Sequence, residues 1–142
     1  MDFRKGNHST YKTEYHVVWT PRYRRKLFTP GVKEYAEDAL RHVESLAPDI
    51  EVISVNAQPD HIHMVTVIPP RIAVAETIGY IKQRTAVALK AKFPFMRKTY
   101  WGVEGIWSDG FCVSGIGLDE SEILTYVENQ GMEDSGQLRF KL

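Results

Sequence analysis

IEVISVNAQPDHIHMVTVI, residues 50–68, decides the fold. Ile50, Val52, Ser54 and Asn56 alternate with Glu51, Ile53, Val55 and Ala57, a period of two that predicts a strand over Ile50–Ala57. Gln58–Pro59–Asp60 is a turn short enough for a hairpin. His61 to Ile68 then reads as the returning strand, closed by Pro69–Pro70. On that second strand His61 and His63 share one face, while Ile62 and Met64 point the other way, toward a core.

Working outward, Thr13 to Thr20 (TEYHVVWT) is aromatic and β-branched. Tyr15, Val17 and Trp19 alternate against His16 and Val18, so it too reads as a strand. Beyond Pro30–Gly31 the positions Val32, Ala36, Ala39, Leu40, Val43 and Ala47 recur at helical spacing. On the far side of the hairpin Val74, Ile78, Ile81, Leu89 and Phe93 mark a second helix, from Ala73 to about Phe93, that Pro94 ends. The glycine-punctuated stretch from Trp101 to Val113 reads as a fourth strand or a short pair of strands. Asp119 with Glu122 three residues later opens a last helix, which runs through Gln130 and ends at Gly131. The order β-α-β-β-α-β-α implies an α+β fold: a ferredoxin-like (RRM-like) antiparallel sheet with helices on one face and an additional C-terminal helix.

With 142 residues, 43% of them hydrophobic and 25% charged, the chain reads as one domain over 1–142 with a proper core. A lone Cys112 cannot close an intrachain disulfide, and no apolar stretch is long enough to span a bilayer. A cytoplasmic protein with no membrane partner is expected. The formal net charge of zero conceals banding: +6 over residues 1–33, −6 over 34–70, +6 over 71–100 and −6 over 101–142. Two basic bands brought together by folding make a positive surface for nucleic acid; the same bands also suit ordinary solvated helix faces.

Two imidazoles on one strand face are half a metal site, or simply two polar residues at a strand entrance. Histidine-triad nucleotide hydrolysis is excluded because Val65 stands where a third histidine belongs, and neither His61 nor His63 has the following Ser or Thr of two-histidine phosphoesterases. On the last helix Tyr126 and Gln130 are four residues apart and share a face. A phenol can attack a phosphodiester and an amide oxygen can complete a hard-cation site, or the helix simply docks through Ile123, Tyr126 and Val127.

Several blocks together carry a resemblance: His8–Ser9 with Tyr11, Tyr15–His16–Val17–Val18–Trp19–Thr20–Pro21–Arg22–Tyr23–Arg24–Arg25–Lys26, Pro59–Asp60–His61–Ile62–His63–Met64, Ile81–Lys82, Trp107–Ser108 with Phe111, and Tyr126–Val127–Glu128–Asn129–Gln130. Over nearly its whole length the chain resembles the single-tyrosine transposases of small bacterial and archaeal insertion sequences, a branch of the HUH nucleases. It departs from their pattern at Ser108–Asp109–Gly110–Phe111 and in the acidic Met132–Glu133–Asp134.

The resemblance implies a DNA transposase that cleaves and transfers single-stranded DNA, recognising hairpins at element ends. His61, His63 and Gln130 would hold one divalent ion, Mg²⁺ or Mn²⁺, and Tyr126 would attack to form a 5′-phosphotyrosine. Arg22, Tyr23, Arg24, Arg25 and Lys26, together with Lys82, Arg84 and Lys90, are the expected DNA contacts. Asp60 is expected to face away from the site if the strand has already begun there, and Glu128 lies round the helix from Gln130. Gly115–Ile116–Gly117 reads as a permissive hinge or as an ordinary turn that uses glycine; the resemblance implies a homodimer in which the tyrosine helix of one subunit completes the histidine site of the other, with active sites shared between subunits. Two other readings stay open: a host-retained endonuclease acting on chromosomal hairpins, and a non-catalytic ferredoxin-like nucleic-acid-binding module. The aromatic signature of RNA-recognition modules is absent from the sequence.

Overall fold

The computed structural model describes residues 3–6, 10–45, 47, 49–101, 105–115 and 117–135; His8, Ser9 and Ile116, quoted above, lie outside them. A two-residue pair, β1 (Arg4–Lys5) and β2 (Thr10–Tyr11), precedes the main sheet. That sheet comprises β3 (Glu14–Trp19), β4 (Glu51–Gln58), β5 (His61–Val67) and β6 (Cys112–Ser114). Their spatial order is β4–β5–β3–β6 with every neighbour antiparallel, the ferredoxin-like arrangement.

The register explains the core. Val17 lies opposite Met64 and Trp19 opposite Ile62, while Val55 and Ala57 face Met64 and Ile62 from the other side. All six are buried beneath α1 (Val32–Arg41) and α2 (Val74–Lys92), which add Ala36, Leu40, Ile78, Ile81 and Leu89. A bulge between Val52 and Ser54 shifts β4 by one residue. This is why its alternation shows apolar residues at both parities: Val52 serves the core before the bulge, Val55 and Ala57 after it, and Ile53 is left 46% exposed.

Two elements end elsewhere than expected, and one short helix is added. Instead of reaching Ala47, α1 tightens into a 3₁₀ turn over His42–Ser45, which keeps Val43 buried and brings the Glu44 carboxylate to the Val52 N–H at 2.7 Å. Pro94 does end α2, but it also opens a short helix, α3 (Phe95–Thr99), whose Met96 is fully buried. Among the described residues between Trp101 and Val113 only Cys112 and Val113 belong to a strand, β6, apart from a single bridge between Trp107 and Pro21. Gly105 and Gly110 there adopt φ of +77° and +80°, left-handed conformations that break a ladder. Among the described residues no helix is long and apolar enough to cross a membrane.

The last helix, α4 (Glu120–Asp134), starts as expected: Asp119 Oδ1 accepts the Glu122 N–H at 2.8 Å, and Glu122 Oε1 accepts the Asp119 N–H at 3.2 Å. Gly131 does not end it. The helix runs on to Asp134 with Gly131 buried inside it, because a Cβ there would sit 3.0 Å from Arg24 Cβ. Glycine is used for close approach rather than for a turn.

Candidate active site

Since β5 is bonded along both edges, its second face occupies the middle of the sheet. A row of side chains crosses that face from Asn56 through His63 and Val18 to Cys112. His61 lies one step toward the hairpin, opposite Gln58; His16 lies one step the other way, opposite Val65 and Ser114. The sheet therefore gathers three imidazoles, one of which, His16, was not singled out as a site residue. Its signal was its place opposite Val17 and Trp19 in the alternation of TEYHVVWT.

His16 and His63 have ring centroids 5.7 Å apart, and His16 Nδ1 and His63 Nε2 are buried without a hydrogen-bond partner among the described residues. Burial, with His16 and His61 adding, holds His63 below the usual histidine pKa, so at neutral pH it presents a lone pair. His61 Nδ1 lies 2.9 Å from Asp60 Oδ1, and the other Asp60 oxygen accepts from Arg24 Nε at 2.8 Å. Burial works against a charged Asp60, but the bonds from His61 and Arg24 outweigh it and hold this carboxyl below the usual range. The condition under which Asp60 would face away, a strand already begun there, is not met. β5 begins only at His61, which leaves Asp60 in the turn, free to fold its carboxylate back.

A cleft of about 470 Å³ opens beside the two histidines, walled by Asn56, Gln58 and Asp60 from the β4–β5 hairpin and by Leu118, Glu120 and Ile123 at and just before the start of α4. The donor chemistry fits a divalent cation: one imidazole nitrogen is buried and unpartnered, and the other ring has its second nitrogen committed to a carboxylate. Among the described residues no three His, Cys, Asp or Glu side chains are grouped to hold a metal. The third protein ligand is the part read for Gln130, which does not line this cleft.

Gln130 is buried, and its Nε2 faces Asp134 Oδ1 at 3.4 Å. Asp134 also accepts the Tyr23 N–H at 2.9 Å and a hydrogen bond from the Ser108 hydroxyl. The end of α4 is thus fastened to the loop after β3. Tyr126 does not line the histidine cleft. Its hydroxyl is buried without a hydrogen-bond partner among the described residues. Burial, then Cys112, Asp134 and Glu133, push the phenol above its usual pKa. Structure therefore groups His61 with His63, joins Gln130 to Asp134, and keeps the Tyr126 oxygen toward the Cys112 end of the row.

The basic residues divide. Arg22 to Arg24 form a 3₁₀ turn in which Tyr23 (φ +64°) and Arg24 (φ +55°) are left-handed, a strained pair pinned by Asp134 and Asp60. Lys26 is exposed, and the Arg25 guanidinium lies 5.6 Å from the Tyr23 ring centroid and 5.5 Å from that of Tyr100. Lys82 donates to the carbonyls of Ser108 (3.0 Å) and Gly110 (2.6 Å), and burial lowers its pKa to about 8. With Arg22 and Lys90 it lines a depression of about 600 Å³; Arg84 projects elsewhere on α2. An adjoining depression of about 230 Å³ shares Lys90 and adds Arg97 and Trp101, the latter 86% exposed and unremarked in the sequence.

Residues 9–130 match the family model for IS200-like transposases. The chain belongs to that family. As a member of the IS200-like transposases, it is 25% identical over 131 residues to the ISDra2 transposase TnpA of Deinococcus radiodurans, covering 92% of each chain. It is 29% identical over 127 residues to the transposase for insertion sequence element IS200 of Salmonella typhimurium, covering 89% of this chain and 82% of that one. A crystal structure of a putative transposase from Deinococcus radiodurans R1 superposes with a TM-score of 0.78 at 26% identity, covering 89% and 97% of the two chains. A REP-associated tyrosine transposase bound to a REP hairpin has a TM-score of 0.52 at 16% identity over 95% and 76%, a likeness of fold alone. This IS200-like transposase therefore acts in DNA transposition.

Proposed function

We propose that this transposase cuts and rejoins single-stranded DNA through Tyr126. The phenolic oxygen bonds to the phosphorus, the bond from phosphorus to the 3′ oxygen breaks, and the 3′ oxygen departs as a hydroxyl, taking up the proton equivalent that the phenol gives up. The strand is then held as a 5′-phosphotyrosine until a 3′-hydroxyl reverses the step. His61, His63 and Gln130 hold a divalent cation, Mg²⁺ or Mn²⁺, which supplies polarisation of the scissile phosphate and stabilisation of phenolate. That help is needed, because a phenol raised above its ordinary pKa is a poor nucleophile.

The observation that carries this reading is the pair of adjacent imidazoles, His61 and His63, beside an open cleft in a chain of this family. Arg22, Lys82 and Lys90, which line the groove, serve the DNA together with the exposed Tyr23, Arg25 and Lys26 beside it, and Arg97 and the exposed Trp101 extend the path; Arg24, tied to Asp60, and Arg84 are left out of the interface. Hairpin ends are the proposed substrate, in keeping with the REP hairpin held by the tyrosine transposase of like fold. The working unit is a homodimer in which α4 leaves the position described here and delivers Tyr126 to the partner's histidine cleft, the glycines at 115 and 117 permitting the exchange.

The test is to incubate the protein with Mn²⁺ and single-stranded DNA carrying the element's hairpin ends, and to look for an adduct that survives denaturation. Its absence, with DNA still bound, would reduce the chain to a binding module. Mixing Tyr126→Phe with a His61→Ala/His63→Ala chain under subunit exchange tests the sharing. Adduct should reappear on the histidine-mutant chain, and no recovery in a demonstrated heterodimer would place each site within one chain.

A further inference from the structure

We infer that Asp60 and Arg24 are positioning residues for His61, with Arg24 bracing the site rather than contacting DNA phosphate. This deepens, and rests on, the metal reading above. A histidine can donate from either ring nitrogen, and only the other one keeps a lone pair for a cation. Asp60 removes that ambiguity. It is the last residue of the two-residue turn, and its Oδ1 lies 2.9 Å from His61 Nδ1. Nδ1–H donates to the carboxylate, the ring is held in one orientation, and Nε2 is left as the ligating nitrogen.

A carboxylate on a turn can swing, and Arg24 prevents it. Its Nε donates to the second Asp60 oxygen at 2.8 Å, so both oxygens are fixed. The Asp60 and His61 side chains are 14% and 10% exposed, which keeps water from competing. Arg24 is itself fixed: its backbone is left-handed, the N–H of the preceding Tyr23 is taken by Asp134, and its Cβ lies beneath Gly131. Gly131 follows the proposed ligand Gln130. One guanidinium therefore ties the orientation of His61 to the seating of the tyrosine helix.

The test uses the intact protein without DNA. In the apoprotein, ¹⁵N–¹H correlation of the imidazole ring should find His61 protonated at Nδ1. Asp60→Ala should lose that tautomer and weaken Mn²⁺ binding, measured by calorimetry, about 10- to 100-fold. Asp60→Asn keeps an acceptor oxygen, so it should restore the tautomer with an intermediate affinity. Arg24→Ala should weaken Mn²⁺ binding severalfold while leaving the salt dependence of DNA binding unchanged. Circular dichroism of each variant separates these effects from misfolding. An unchanged tautomer and unchanged Mn²⁺ affinity in folded Asp60→Ala would overturn the proposal. An Arg24→Ala chain that binds Mn²⁺ normally but shows a flatter salt dependence would overturn the part given to Arg24. Should the wild type hold the Nδ1 tautomer and lose it with Asp60→Ala, yet bind no Mn²⁺, the positioning stands and the metal reading fails.

Discussion

β5 and α4 carry the two halves of the proposed site and are held in opposite ways. β5 is bonded to β4 and β3 along its length, with Ile62 and Met64 locked into the core, so His61 and His63 have their places set by backbone register. α4 is held by a few side chains: Val127 buried against the rest of the molecule, Gly131 over Arg24, and Asp134 on Tyr23 and Ser108. One half is built into the sheet and the other is fastened to it. Reactions that must capture and later release a strand suit this division, because the two histidines can stay rigid while α4 moves with the nucleophile and Gln130.

The largest expected effect tests whether the fastened half supplies the nucleophile. Tyr126→Phe removes one oxygen that makes no hydrogen bond, so the fold and DNA binding should persist while the covalent adduct disappears completely. Denaturing gel electrophoresis with end-labelled DNA reads the result. If adduct persisted, Tyr11 would become the candidate, since Tyr15 packs against the core on the other face of the sheet.

The built-in half should respond most to His63→Ala, which removes a buried nitrogen whose lone pair has no hydrogen-bond partner among the described residues; Mn²⁺ affinity should fall at least tenfold by calorimetry. His63 also makes a prediction about stability. Its folded pKa lies below the ordinary value of 6.5, so the unfolded chain takes up a proton first as pH falls. The contribution of neutral His63 is intact above about pH 6.5 and is lost progressively below it, until the pH passes beneath the folded pKa. Thermal melts of the apoprotein between pH 7 and 5 should show this decline, and His63→Gln should flatten it. An equally steep decline in the variant would put the acid sensitivity elsewhere.

How much could be read in advance follows the same division. Period-two alternation located β3, β4 and β5 and put His61 and His63 on one face, because alternation is a property of adjacent residues. It did not show that Asp60 turns back onto His61, since that depends on the hairpin closing at Gln58 and His61. Nor did it show the course of α4 past Gly131: glycine ends many helices, and only the nearness of Arg24, more than a hundred residues upstream, explains a glycine inside this one. Nor did it single out Asp134 within the acidic Met132–Glu133–Asp134, because its bonds to Tyr23 and Ser108 join segments distant in the chain.

Asp134→Ala tests that fastening. It leaves the Tyr23 N–H and the Ser108 hydroxyl without this acceptor, a loss of about 1–3 kcal/mol. Because the contact holds only the end of α4, hydrogen exchange should speed up by at least tenfold over the last two turns while β5 keeps its protection. Unchanged exchange in α4 would mean that the apolar face through Ile123 and Val127 seats the helix without help.

The smallest effect separates two neighbouring arginines. Arg24 is tied down by Asp60, whereas Arg25 lies between the rings of Tyr23 and Tyr100 with an exposed side chain that a phosphate can reach. Each phosphate neutralised on a single strand contributes about 0.7 to the slope of log K against log salt, through counterion release. Arg25→Ala should therefore lower that slope by about 0.7 and weaken DNA binding at low salt more than at high salt, whereas Arg24→Ala should leave the slope where it was. A charge change alone cannot distinguish the two residues, since each substitution removes one guanidinium, so a difference in slope reports where each side chain is held. Equal slopes for the two variants would place both arginines on the DNA and leave Asp60 to orient His61 unaided.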